Sequence, residues 1–144
     1  MSKRAGLLAS ALGFMLLMPS ALAAPLCGTE KKPNASEIRN YQQLIAKDFV
    51  DRLEPDNEGR ALKADQVELH EIVAMDGWFY ARIDTPYSET GYFYYDNTNG
   101  KPVFRDVMGG MIEPDAENWL LQWFRDLGAP QSVGKCFTRI LLSQ

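Results

Sequence analysis

The chain has 144 residues, of which 46% are hydrophobic, and a formal net charge of −4. This length suits a single domain with one hydrophobic core, with room for a leader segment. The acidic balance argues against nucleic acid or an anionic membrane surface as a partner, because both require a broad basic surface.

The N-terminus has the pattern of a cleavable secretory signal. Lys3 and Arg4 precede an apolar run over residues 5–18, and Ala21-Leu22-Ala23 then forms a small-x-small cleavage site. A retained membrane anchor is the alternative, but the run is shorter than the ~20 residues that a spanning helix needs. We therefore predict cleavage after Ala23, a periplasmic or secreted mature domain, and no membrane attachment after cleavage.

The two cysteines, Cys27 and Cys136, both follow the predicted cleavage site. In an oxidising compartment a disulfide between them is the expected state. Closing a loop of about 110 residues stabilises a fold by about 4–5 kcal/mol in the chain-entropy model. A redox-active pair is the alternative, but such pairs usually have a C-x-x-C spacing, which this sequence lacks.

Residues 24–33 are predicted to form an extended tether, followed by a single domain over 34–144. Asn34 and Glu37 have the spacing of a capping box, so a helix should begin there. Apolar side chains then recur every three or four residues and predict one apolar stripe, formed by Ile38, Tyr41, Ile45, Phe49 and Leu53. The turn-forming residues over 55–59 should end this helix.

A β-hairpin is predicted next, because Asp76-Gly77 favours a type I′ turn between strands over 66–75 and 78–84. The turn sets the register of the two strands. It places His70 opposite Ile83, on the same face as Ile72, and it places Glu71 opposite Arg82 on the other face.

Two further strands are predicted over 91–96 and 102–107, with a loop over 85–90 before them. The short connections make all four strands antiparallel. Two helices are predicted over 114–127 and 131–142, since apolar residues recur at helical spacing and Gly128 and Pro130 separate the two segments.

The predicted fold class is therefore α+β: an N-terminal helix, a four-stranded antiparallel meander and two C-terminal helices, with the helices segregated on one face of the sheet. Over residues 34–107 the order of elements resembles the cystatin-like or NTF2-like arrangement. This resemblance implies a long first helix lying on a bent sheet. It implies no function, because likeness of fold does not carry function.

His70 is the only histidine of the chain. In the predicted register Glu68 shares its face and is the one local group that could orient it, whereas Asp84 points to the opposite face. One hypothesis is a ligand pocket between the sheet and the first helix, formed by His70, Tyr41 and Phe79. The alternative is a half-buried histidine at the sheet margin with no role in chemistry.

Catalytic and metal-binding patterns are missing from the sequence. Serine hydrolysis would require a nucleophile motif such as G-x-S-x-G and a partner histidine. Zinc sites usually take three or four nitrogen or sulfur ligands, which one histidine and a paired cysteine cannot supply. We therefore predict no catalytic residue, no metal and no cofactor.

Aromatic residues crowd the predicted strands, including four in succession over 92–95. Successive residues point to opposite faces of a sheet, so these four cannot all enter one core. One hypothesis is an exposed partner-binding surface formed by Trp78, Tyr80, Tyr87, Tyr92 and Tyr94. The alternative is that the C-terminal helices cover the second face.

The leading functional hypothesis is an exported, non-enzymatic protein that binds another exported macromolecule, such as an inhibitor or immunity-type protein against a secreted toxin or hydrolase. Small size, a disulfide, an acidic composition and surplus aromatics motivate it. The alternative is a small-ligand-binding protein or enzyme that uses the pocket near His70.

Overall fold

The computed structural model describes residues 27–53 and 61–144. The predicted leader, its cleavage site and the helix-ending residues over 55–59 lie outside these ranges. The described residues form an α+β fold with one five-stranded antiparallel sheet and three α-helices.

The sheet has its strands in chain order, each paired with the next. Their bounds are β1 (Thr29–Glu30), β2 (Glu68–Met75), β3 (Trp78–Thr85), β4 (Ser88–Asp96) and β5 (Val103–Gly109). The predicted loop over 85–90 is instead a tight turn, because β4 begins at Ser88, three residues before the start of the predicted strand.

The first strand corrects the prediction of a four-stranded meander. Thr29 and Glu30, within the predicted tether, pair with Ala74 and Val73 of β2. The next amide, that of Lys31, donates a hydrogen bond to the Ile72 carbonyl over 2.8 Å. Sequence reasoning missed this strand because two residues are too few to show an alternating pattern.

The first helix, α1 (Ala35–Asp48), begins at the predicted capping box. The Asn34 side chain accepts a hydrogen bond from the Glu37 amide, and the Glu37 carboxylate accepts one from the Asn34 amide, each over 3.0 Å. A π-helical turn, Phe49–Leu53, continues α1. Its apolar stripe packs on the sheet with Ile45 and Phe49 buried.

The other two helices, α2 (Glu117–Asp126) and α3 (Gln131–Leu142), cover the opposite face of the sheet. The prediction that all helices lie on one face is therefore wrong. Phe93 and Tyr95 pack on the α1 side, whereas Tyr92 and Tyr94 pack under α2 and α3. Both faces of β4 are aromatic, so both must be shielded from water.

The β2–β3 hairpin follows the predicted register only in part. Asp76 and Gly77 have the positive φ angles of a type I′ turn, 48° and 79°. Pairing is as predicted from Met75–Trp78 to Glu71–Arg82, and a bulge then changes the register so that Leu69 faces Ile83.

His70 is the extra residue of this bulge, and its predicted pairing with Ile83 is wrong. An unbroken ladder would place the His70 imidazole against the α1 core and turn Leu69 away from it. The bulge reverses this assignment, because Leu69 then packs with the α1 core cluster. Burial of the leucine in place of the imidazole accounts for the register change.

The disulfide joins Cys27 to Cys136, with 5.5 Å between the two Cα atoms. It therefore ties the segment before β1 to the middle of α3. Such a bond is compatible with an extracellular or periplasmic protein. Within residues 27–53 and 61–144, no helix combines the length and the apolar character that crossing a membrane would take.

Candidate functional site

The aromatic side chains proposed for partner binding are mostly inside the protein. Trp78 is 2% exposed, Tyr80 and Tyr94 are 0% exposed, and Tyr92 is 8% exposed, whereas Tyr87 is 43% exposed. The prediction that these residues form one exposed surface is therefore wrong for all but Tyr87, which lies in the β3–β4 turn.

The terminal helices explain this burial. The ring of Tyr94 makes edge contacts with Trp123 and Phe124 of α2, at centroid distances of 5.1 and 5.3 Å, and Tyr80 makes one with Phe137 of α3 at 5.2 Å. Burial raises the pKa of the Tyr94 hydroxyl well above its usual value. These tyrosines form the core under α2 and α3.

The pocket predicted from His70, Tyr41 and Phe79 is divided in the structure. Tyr41 and Phe79 are in edge contact at 5.5 Å and line a cleft of about 440 Å³ beside β1 and the β2–β3 turn. His70 lines a separate cavity of about 190 Å³ near Pro33. One pocket shared by all three residues is therefore a wrong expectation, because the bulge moves His70 away from the α1 core.

The cleft beside Tyr41 contains a local ion pair. The Lys31 ammonium donates to the Tyr41 hydroxyl over 3.0 Å and lies 3.1 Å from the Glu37 carboxylate. Hydrogen bonds, first to Tyr41 and then to Glu37, raise the pKa of Lys31. This cation is already partnered, so it holds β1 against α1 rather than offering a free charge.

The bulge brings His70 to a carboxylate that the predicted register had placed on the other face. His70 Nε2 lies 2.9 Å from Asp84 Oδ2. Glu68 is directly opposite Asp84 in the ladder, and ligand atoms of the three side chains lie within 4.8 Å of one another. We call Glu68, His70 and Asp84 the His70 cluster.

A sequence signal for this cluster existed. Counting back from buried Ile72, strict alternation places His70 in the core and Leu69 in water. A polar residue would then lie in the core and an apolar one in water. A bulge between them removes this conflict, because one extra residue exchanges the faces to which the two side chains point.

A groove, which we call the α2–α3 groove, lies on the solvent side of the two C-terminal helices. Cavities of about 490 and 180 Å³ lie along it and share Leu121 and Lys135 in their walls. The helices approach closely at Gly134, where a Cβ atom would lie 3.1 Å from the Phe124 Cβ. The apolar part of the groove is formed by Leu121, Phe124, Ala129, Pro130 and Leu142.

The charged residues of this groove are mainly basic. Arg125, Lys135 and Arg139 line it, with Glu117 as the acidic side chain of the larger cavity. None of the three cations forms an ion pair with a carboxylate within the described ranges. Lys135 and Arg139 are four residues apart on α3 and therefore lie on the same side of the helix.

Thr138 lies between these two cations and adds an unusual feature. It is 2% exposed, and its hydroxyl has no hydrogen-bond partner among the described residues. It nonetheless lines the larger cavity. A buried hydroxyl without a partner costs about 1–3 kcal/mol, so a ligand group that bonded it would recover part of that free energy.

The chain matches no protein-family model. No curated protein and no solved structure matches it either.

Proposed function

We propose that this protein is exported by the leader predicted over residues 1–23 and acts without catalysis, by binding an acidic segment of another exported protein in the α2–α3 groove. The observation that carries the proposal is a set of three cations beside an apolar groove, none of them in an ion pair with a described residue, on a chain whose net charge is −4.

The chemistry of the groove defines the partner. Apolar walls favour a segment with aliphatic or aromatic side chains, and the adjacent cations favour Asp or Glu at its margins. Thr138 lines the same cavity and adds a buried hydroxyl. A basic segment would meet Arg125, Lys135 and Arg139 as like charges and would be rejected.

An inhibitor or immunity-type role is the concrete version of this proposal, with a secreted toxin or hydrolase as the partner. The disulfide between Cys27 and Cys136 supports the exported location. The likeness in element order to cystatin-like and NTF2-like proteins stays a prediction and contributes nothing to the proposal. For the alternative, a small-ligand-binding protein or enzyme, the pocket that remains as a candidate is the cleft at Tyr41 and Phe79.

The test uses two synthetic amphipathic peptides of the same apolar pattern, one with Glu and one with Lys at its polar positions. Fluorescence anisotropy should show binding of the acidic peptide and none of the basic peptide. The double charge reversal Lys135→Glu/Arg139→Glu should weaken binding at least tenfold, because two opposite charges become like charges.

A matched control distinguishes the effect of the groove cations on binding from the effect of a change in net charge. Lys32→Glu/Lys101→Glu makes the same change in net charge at exposed positions away from the groove and should leave binding unchanged. Equal binding of both peptides, no binding of the acidic peptide, or equal loss in the two double variants would contradict the proposal.

A further inference from the structure

We infer that the His70 cluster, formed by Glu68, His70 and Asp84, is a binding site for a divalent transition-metal ion of the manganese-to-zinc series. This inference is independent of the α2–α3 groove and of the proposed partner. It rests on the geometry of the bulge in β2 and on the chemistry of the three side chains.

The distances fit a single ion. Imidazole nitrogens and carboxylate oxygens bind such ions at about 2.0–2.2 Å, so two ligand atoms of one ion lie at most about 4.4 Å apart. The ligand atoms of the cluster lie within 4.8 Å of one another. Tetrahedral coordination places ligand atoms about 3.4 Å from one another, so side-chain rotations that move these atoms by about an ångström would close the cluster around an ion.

All three ligand residues lie on β2 or β3 of the sheet, and none lies on a loop. Glu68 and Asp84 are directly paired across β2 and β3, and His70 is the extra residue of the bulge. A regular ladder would point the imidazole and Glu68 at the α1 core and leave Asp84 on the other face. The bulge is thus the device that places a nitrogen ligand beside two oxygen ligands.

The charges around the cluster favour a cation. Two of its three side chains, Glu68 and Asp84, are carboxylates. The Oδ1 atom of Asp84 is enclosed, and no described residue donates a hydrogen bond to it in good geometry. The nearby cation Arg82 faces Glu71 at 3.5 Å and so already has a carboxylate partner.

The ligand set indicates the class of metal. Imidazole suits zinc, iron, nickel and copper, whereas a site of oxygen ligands alone suits magnesium and calcium. Three protein ligands leave at least one coordination position for water, as in open zinc sites. One histidine and a paired cysteine supply too few nitrogen or sulfur ligands for zinc, but the structure adds two carboxylates beside the histidine.

The experiment titrates the untagged, disulfide-bonded chain with zinc chloride by calorimetry and follows the imidazole by nitrogen-15 NMR. His70 is the only histidine, so a single pair of ring signals reports on the site. We expect one ion bound per chain and a large shift of the Nε2 signal. His70→Gln and Asp84→Asn should each weaken binding at least tenfold, and zinc should raise the Tm of the parent chain but not of these two variants.

The control variant is Glu89→Gln, which removes an exposed carboxylate outside the cluster and should bind zinc like the parent chain. Each variant is checked by circular dichroism, and Glu68→Gln provides a further folded variant if one of the others is unstable. No saturable binding, or binding that persists in both His70→Gln and Asp84→Asn, would overturn the inference.

Discussion

The Asp106 carboxylate on edge strand β5 accepts a hydrogen bond from the indole nitrogen of Trp123 on α2, over 3.2 Å. Its other oxygen accepts one from the backbone amide of Val107, over 2.9 Å. The Asp106 side chain thus anchors α2 to the sheet. It also takes up the backbone amide of Val107, which is then not free to pair with another strand. Trp119, which is 56% exposed, stacks on Trp123 at 6.2 Å and is held by the same contact.

Replacing Asp106 with alanine should loosen α2 and free this edge. Loss of two hydrogen bonds to a charged group is expected to lower the free energy of unfolding by about 2–3 kcal/mol. An uncovered strand edge also promotes pairing between chains. Sedimentation velocity should therefore show concentration-dependent dimers of Asp106→Ala but not of Asp106→Asn, whose amide oxygen can still accept from Val107. Monomers of both variants at all concentrations would contradict the edge role.

Tyr94 and Tyr80 provide a matched pair for the buried aromatic core. The Tyr94 hydroxyl has no partner among the described residues, whereas the Tyr80 hydroxyl donates to Glu71 over 3.3 Å. Tyr94→Phe should therefore raise the free energy of unfolding by about 1 kcal/mol, and Tyr80→Phe should lower it by a similar amount.

Urea unfolding followed by tryptophan fluorescence measures both changes. The opposite result, with Tyr94→Phe the less stable variant, would show that the Tyr94 hydroxyl is bonded in solution. Truncation to alanine is uninformative about partner binding at either position, because removing such a buried ring costs about 3–5 kcal/mol and threatens the fold.

Local rules predicted much of the fold. The capping box at Asn34 and the turn at Asp76-Gly77 each depend on residues within four positions, and both are present. The two C-terminal helices could be predicted because their apolar periodicity is strong. The features that failed depend on distant residues: β1 forms only against β2, and the layer order depends on which helices cover which face.

The candidate sites were harder to predict for the same reason. Alternation shows that Tyr92 and Tyr94 share a face, but it does not show that α2 and α3 shield that face. The groove cations come from two helices, so their spacing in sequence has no pattern. Asp84 meets His70 only because one residue of β2 is left out of the ladder.

Deletion of His70 tests whether the bulge in β2 is required for folding. Leu69 already faces Ile83 and Glu71 already faces Arg82, so the deletion joins two correct stretches into a regular ladder. We expect the free energy of unfolding to change by less than about 1 kcal/mol, since no core side chain moves to the other face. The matched control inserts alanine after Ile72, which should unfold the hairpin because it reverses the faces. A deletion variant as unstable as the insertion would show that the bulge is required for folding.

Asp96 should make the turn before β5 sensitive to acid. Its carboxylate accepts from the amide and hydroxyl of Thr98, over 3.0 and 2.7 Å, and from Arg105 over 2.6 Å. These bonds, with the Thr98 hydroxyl first, lower the pKa of Asp96 to about 2. A lowered pKa means that the stabilisation is present above about pH 4 and is lost as the pH falls toward 2.

Asp96→Asn should therefore be less stable than the parent chain at pH 6, and the two should be equally stable near pH 2. Guanidinium unfolding at both pH values measures the difference. The exposed Asp115 provides the control, because Asp115→Asn should follow the parent chain throughout. A constant gap between parent and Asp96→Asn across this range would contradict the assignment.

Reduction of the Cys27–Cys136 bond should release β1 before the rest of the fold. Apart from this bond, β1 is held by two ladder pairs and by the contacts of Lys31 with Ile72, Tyr41 and Glu37. Breaking the loop, which spans 109 residues, removes at most about 4–5 kcal/mol from the free energy of unfolding. The Lys31 amide should lose its hydrogen-exchange protection first, while the amides shared by β3 and β4 retain theirs.

The double variant Cys27→Ala/Cys136→Ala should show this pattern with or without reductant. An unchanged melt of the parent chain under reductant, or equal loss of protection across the whole sheet, would mean that the bond does not act as a local anchor for β1.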